Sequence, residues 1–242
     1  MGAESIVCRG VAAYGGVARP ETISGDGVKA FLLAAGVGSR LGALTRDTPK
    51  CLLPIGGRPL LDYWLEAFER VGVTDVLVNL HHHADQVRDF LNSRTSALRV
   101  ATFHEPELLG SAGTIARAWE FVQDEECFFI AYADNFARVD LRKLLRFHQD
   151  KGNPVLTLVA YRTSEPERCG IVELDHEDRV ISFEEKPAFP KSNFANSGIH
   201  VAGKELRSFL PATAPADLGY HVLPRLAGKM YGYVTDEYIQ DI

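Results

Sequence analysis

None of the four cysteines (Cys8, Cys51, Cys127, Cys169) stands in a CxxC pair. The chain therefore has neither zinc-ligand spacing nor a disulfide framework, and a reducing, cytoplasmic setting is the expectation. There is no run of about 18 apolar residues, and no basic start followed by an apolar block, so the signals of a membrane span and of a secretory leader are both missing. Positive charge is short as well. The formal charge is −6, whereas binding nucleic acid through bulk electrostatics needs a basic face. No nucleic-acid or membrane partner is expected, and any phosphate must be met by local cations. The Gly-Lys-Ser/Thr triplet of a Walker loop is absent too. Three consecutive histidines, His81 to His83, are present, but neighbours at a strand end alternate in direction, so they are not read as a metal site.

What the sequence does have is alternation. Its 242 residues, 46% hydrophobic and 24% charged, suffice for one large α/β domain. Residues 1–27 show no sustained period and end in Ser-Gly-Asp-Gly; they read as an extension, and 28–242 as the domain itself. From Val28, VKAFLLA reads as a buried strand, PLLDYWLEAFERVG as a helix, DVLVNL as a strand and ADQVRDFLN as a helix. LRVATF, SAGTIARAWEFV, CFFIAYAD and LRKLLRFHQDKG repeat the rhythm to about residue 152. This is the signature of βαβ units, and the expected fold class is α/β, a doubly wound Rossmann-like, mostly parallel sheet. After Gly152 the text turns β-rich (PVLTLVAYR, GIVELD, RVISFEEKP, ANSGIHV), which predicts an added substrate-facing layer.

Between Leu33 and Leu61 stands LAAGVGSRLGALTRDTPKCLLPIGGRPLL. A dinucleotide-binding loop would need a small residue where Leu41 sits. What remains is a loop of small residues, Leu33, Ala34, Ala35, Gly36, Gly38 and Ser39, leaving a buried strand. One cation, Arg40, follows it directly, and a second, Lys50, is pinned behind Pro49. Such a loop lets backbone N–H groups approach phosphate oxygens, and Arg can neutralise them bidentately. The stretch resembles the signature of the sugar-1-phosphate nucleotidylyltransferases, L-A-(G/A)-G-x-G-(T/S)-R-L followed by L-T and P-K. The resemblance runs on through GSAGT (110–114), YADN with Asp134, CGIVELD (169–175), FEEKP (183–187) and NSGIHV (196–201). Within that family, EPELLGSAGT and MYGYVTDEYIQDI are most similar to guanylyltransferases acting on mannose- or heptose-type sugar phosphates.

The resemblance implies transfer of a nucleoside monophosphate from an NTP, with GTP expected, to a sugar 1-phosphate, giving an NDP-sugar and pyrophosphate. Arg40 would grip the triphosphate and Lys50 the charge near the α-phosphate. Asp134, at a strand end, would bind Mg²⁺, which takes one or two carboxylates plus substrate oxygens. Glu105 would face the base, accepting from guanine N1–H and its amine, with Gly110 letting the backbone approach. Glu185 would hold sugar hydroxyls, Lys186 the sugar phosphate, Gly170 a close backbone approach and Asn196 an amide contact. Asp241 would be the second Mg²⁺ carboxylate. The family text continues there as D-I-G-T-P and a helix, so the domain is expected to be truncated at its C-terminus, with Asp241 on an end that frays unless tied down. Rival readings are a uridylyl- or cytidylyltransferase and a regulatory paralogue that binds NDP-sugar without turnover. Retention of Arg40, Lys50, Asp134, Glu185 and Lys186 favours an active enzyme, and assembly as a homo-oligomer is left open.

Overall fold

The KAFLL run forms strand β1 (Lys29–Leu33). Ala30 and Leu32 enter one hydrophobic cluster, Phe31 and Leu33 another, as the period of two in a strand requires. A strand that is apolar on both faces must be covered twice. The structure, a computed structural model, describes residues 27–36 and 38–242, without the side chains of Ser39, Arg40 and Ala43; the extension read at 1–27 lies outside the described residues apart from Gly27.

A short hairpin follows β1, made of β2 (Pro54–Ile55) and β3 (Arg58–Pro59). Then come α1 (Leu60–Val71), β4 (Asp75–Leu80), α2 (Ala84–Ser93), β5 (Arg99–His104), α3 (Gly110–Arg117), β6 (Cys127–Tyr132), β7 (Asn135–Ala137) and α4 (Leu141–Asp150). The remaining strands are β8 (Leu156–Arg162), β9 (Gly170–Leu174), β10 (Val180–Glu185), β11 (Phe194–Gly203), β12 (Met230–Val234) and β13 (Ile239–Asp241). Helix α1 buries Leu61, Trp64, Leu65 and Phe68, a stripe at helical spacing. Asp140 caps α4, its carboxylate accepting from the backbone N–H groups of Arg142 and Lys143, both at 3.1 Å. The expected helix SAGTIARAWEFV ends early, at Arg117, and a 3₁₀ turn over Trp119–Phe121 follows. That turn swings Trp119 onto Phe128 and Phe121 onto Phe31, with ring centroids 5.7 and 5.5 Å apart.

Residues of α1 and α4 fill the first cluster, while α3 and the segment from Leu218 to Leu226 fill the second. Between them lies one nine-stranded sheet, in the order β10-β9-β11-β6-β1-β4-β5, with β8 pairing β11 and β12. β6, β1, β4 and β5 are parallel. β11 joins β6 antiparallel, and β8, β9 and β10 extend the antiparallel part. The β-rich text thus continues the same sheet. Because β1, β4 and β6 are parallel, their C-terminal ends share one edge of the sheet, with β11 beside β6. Among the described residues no helix is long and apolar enough to cross a membrane.

Two histidines are locked in this core. His148 and His200 are fully buried, and burial lowers them to about 4 and about 3 respectively. An unfolded histidine takes its proton near 6.5. Both folded-state values are depressed, so the unfolded chain binds more protons below pH 6.5 and stability falls as pH drops through that window. The slope approaches about 1.4 kcal/mol per pH unit for each histidine, levelling near pH 4 for His148. Replacing His148 by Gln, which can still meet the Thr157 hydroxyl now 2.9 Å from His148 Nδ1, is expected to reduce the loss. Urea midpoints of both proteins at pH 7.5 and pH 5 measure it; equal losses would refute the assignment to His148.

Candidate active site

A cavity of about 400 Å³ opens at the C-terminal ends of the parallel strands. Leu33, Ala34, Ala35 and Gly36 line it as the chain leaves β1, Asn79 from β4, and Tyr132 and Asp134 at the end of β6. This is where ligands collect in open α/β sheets. Gly38 turns the loop with φ 66° into a 3₁₀ segment over Ser39–Thr45, and Thr45 Oγ1 donates back to the Gly38 carbonyl at 2.9 Å. The side chains of Ser39 and Arg40 lie outside the described residues. Of the histidine run, His83 holds the end of this segment, its Nε2 2.8 Å from the Arg46 carbonyl, while His81 Nδ1 lies 2.8 Å from the Glu105 carbonyl after β5.

Lys50 starts a 3₁₀ turn directly after Pro49. It is only 6% exposed, which is costly for an ammonium unless it meets opposite charge. Its Nζ lies 2.9 Å from Asp134 Oδ2 and 3.4 Å from Asp241 Oδ1. Asp134 is fixed by its neighbours, because Ala133 N–H donates to the Leu33 carbonyl at 2.9 Å and Trp64 Nε1 donates to the Asn135 carbonyl at 2.7 Å. Asp241 is held by β13, which pairs antiparallel with β7 so that Asp241 faces Asn135, while Ile242 N–H donates to the Asp134 carbonyl at 3.2 Å. The end expected to fray is thus tied into a ladder, and two carboxylates 107 positions apart in sequence converge on one cationic point. Among the described residues no group of three or more His, Cys, Asp or Glu could hold a metal. The donor set fits Mg²⁺ only as two carboxylates completed by substrate oxygens. Cys51, beside Lys50 in the lining, is no nucleophile: burial pushes its thiol up to about 12, far from thiolate chemistry.

Glu105 is used differently from the expectation. It is 1% exposed. Oε1 accepts from Asn79 Nδ2 at 2.8 Å and from Thr114 Oγ1 at 2.6 Å, and Oε2 accepts from Leu109 N–H at 3.0 Å. With three of roughly four acceptor directions taken, only one is left, on Oε2, so the carboxylate cannot offer one acceptor on each oxygen to guanine N1–H and its amine. The carboxylate, part of the cavity lining, bolts β4 to α3 and to the chain entering α3. Asn79 carries the link onward, its Oδ1 accepting from Ala34 N–H at 2.6 Å. A polar residue inside the buried run DVLVNL was the sequence signal for it.

Gly110 lines the cavity, and its open face is occupied from within the chain. Its neighbour is the strap at 215–218. Ala216 N–H donates to the Leu109 carbonyl at 2.8 Å, and Ala112 and Gly113 N–H donate to the Ala216 carbonyl at 2.9 and 3.0 Å. Gly110 has φ 73°, and a Cβ there would stand 2.5 Å from the Ala216 oxygen. Gly110→Ala is therefore expected to cost about 2 kcal/mol or more, from left-handed strain plus the displaced strap. Denaturant midpoints check this; an unchanged midpoint would show that the strap is not held as described.

At the far end, Glu185 closes β10 opposite Gly170 of β9. The open face of Gly170 is filled by Glu185 itself, since a Cβ there would stand 2.7 Å from Oε2, and one on Gly219 would stand 2.5 Å from it. Burial raises the Glu185 carboxyl above its usual range, with Lys186 opposing and Asp217 adding to the rise. Asp217, Tyr132 and Ser111, none of them singled out from the sequence, line the cavity. Asn196 Oδ1 accepts from Gly198 N–H at 3.2 Å and lies 3.0 Å from His200 Nε2. Gly170, Glu185, Lys186 and Asn196 are not part of the cavity lining.

A family model described as "Nucleotidyl transferase" matches residues 29–237. The mannose-1-phosphate guanylyltransferase catalytic subunit beta of Drosophila pseudoobscura pseudoobscura is 30% identical over 220 residues, which cover 90% of this chain and 59% of that protein. The D-glycero-alpha-D-manno-heptose 1-phosphate guanylyltransferase of Campylobacter jejuni subsp. jejuni is 28% identical over 179 residues, covering 74% of this chain and 77% of that one. Among solved structures, HddC from Yersinia pseudotuberculosis complexed with GMP-PN superposes with a TM-score of 0.74 at 25% identity, covering 88% of this chain and 93% of that chain. The chain spans 59% of the length of the Drosophila relative.

Proposed function

We propose that this chain, which belongs to the nucleotidyl transferase family, transfers a nucleoside monophosphate from an NTP to a sugar 1-phosphate and releases pyrophosphate. The observation that carries the reading is Lys50: a nearly buried ammonium lining a cavity of about 400 Å³ and flanked by two carboxylates. In the reaction, an oxygen of the sugar phosphate bonds to the α-phosphorus, and the bond from that phosphorus to the β-bridging oxygen breaks. The nucleophile is already an anion, so no strong base is needed. The obstacle is bringing two polyanions together in line, which makes positioning and cationic stabilisation the main contributions.

Lys50 is assigned the charge that develops at the α-phosphate, and Arg40, on the 3₁₀ segment after the loop, the departing pyrophosphate. Backbone N–H groups of the Ala34–Gly36 loop would meet the remaining phosphate oxygens. Mg²⁺, held by Asp134, Asp241 and phosphate oxygens, would neutralise charge on the transferring group. Glu185 and Lys186 are assigned the sugar and its phosphate, with Gly170 and Asn196 beside them. The preferences for GTP and for a mannose- or heptose-type sugar rest on the names of the relatives, because Glu105 keeps only one open acceptor direction. A cytoplasmic setting is supported by the free thiols Cys51, Cys127 and Cys169.

The test is pyrophosphate release over four NTPs against mannose-, glucose- and heptose-1-phosphates. Turnover is expected with GTP and a manno-configured sugar phosphate. Turnover with UTP or dTTP as well would overturn the base, and none with any pair would favour a binding protein without catalysis.

A further inference from the structure

We infer that Lys50 is the resident counter-ion of the Asp134–Asp241 pair, and that a divalent cation must displace it, so that ammonium and metal compete for the same two carboxylates. The inference rests on the reading of those carboxylates as metal ligands. Its own basis is geometric. Nζ touches both side chains, at 2.9 and 3.4 Å. A magnesium ion bonded to both oxygens at about 2.1 Å would lie no more than roughly 5 Å from that nitrogen. Two cations so close repel strongly in a partly shielded site, and the ammonium already lies against both carboxylates.

Displacement leaves Lys50 with few alternatives. At 6% exposure it cannot simply turn to water, and an uncompensated buried charge is expensive. The anion within its reach is whatever enters the cavity that it lines, and a triphosphate supplies that charge. Metal alone should therefore bind the free protein weakly, whereas metal and nucleotide arriving together satisfy both the carboxylates and the lysine. Lys50 in this account sets the order of loading as well as acting on the phosphate: it excludes a bare cation and accepts one accompanied by polyphosphate.

Manganese, visible by electron paramagnetic resonance, is the probe. It would be titrated into the full chain without nucleotide, for wild type, Lys50→Gln, Lys50→Arg and the double variant Lys50→Gln/Asp134→Asn. Lys50→Gln is expected to bind Mn²⁺ about tenfold tighter than wild type or more. Lys50→Arg, which keeps the charge, should stay as weak as wild type, and the double variant should lose the gain. Circular dichroism confirms that each variant is folded. If Lys50→Gln binds no tighter while wild type takes up Mn²⁺ in the presence of a non-hydrolysable GTP analogue, the competition is refuted and the metal reading stands. If no protein binds Mn²⁺ with or without the analogue, the metal reading falls, and the competition with it.

Discussion

Lys50→Met is expected to lower turnover by about a hundred- to a thousandfold, the usual effect of removing one preorganised stabiliser of transition-state charge, or about 3–4 kcal/mol. Methionine keeps the apolar stem that fills the turn behind Pro49 and deletes only the charged head. The unfolding midpoint should move little by comparison, since Asp134 and Asp241 are 36% and 53% exposed and can be rehydrated when the ammonium goes. The measurement is kcat from pyrophosphate release at saturating Mg²⁺ and substrates, alongside a urea titration. Turnover within a few fold of wild type would remove Lys50 from the chemistry.

Asp134→Asn has the second large expected effect, and its pattern is more diagnostic than its size. Activity should fall by about a thousandfold, because the asparagine brings no negative charge to a metal or to Lys50. Stability should fall as well, by about 1–3 kcal/mol, because Lys50 is left nearly buried beside a neutral amide, with Asp241 at 3.4 Å as a longer contact; the range allows for the partial exposure of Asp134. Adding Lys50→Met should restore most of that stability and none of the activity. Denaturation and kinetics of the four proteins in the cycle give the answer. A double variant less stable than Asp134→Asn would contradict the pairing.

The parts of this site that are legible in the sequence are those written locally. KAFLL, DVLVNL and CFFIAY show their strand character because each is apolar on both faces, and PLLDYWLEAFERVG shows its helix because Leu61, Trp64, Leu65 and Phe68 recur on one side. The small-residue loop is visible for the same reason. What long-range contacts decide is not written that way. Lys50 and Asp134 look like separate ligands in the sequence and are an ion pair in the structure, where the turn at Lys50 meets the end of β6. Glu105 looks like a reader of the base until Asn79 and Thr114, from β4 and α3, occupy its oxygens. Gly110 looks like room for a ligand and is room for a strap from 215–218. In each case the residue lines the cavity, and its partner comes from an element whose position no local pattern fixes.

The central claim is that a sugar-phosphate oxygen becomes bonded to the α-phosphorus as pyrophosphate leaves. It is tested by supplying the sugar 1-phosphate with ¹⁸O in its phosphoryl group, with the nucleotide that the activity matrix selects, and weighing both products by mass spectrometry. The account predicts an NDP-sugar that retains all of the label, formed one-to-one with unlabelled pyrophosphate. Label in the released phosphate, or nucleotide hydrolysed without any NDP-sugar, would contradict it.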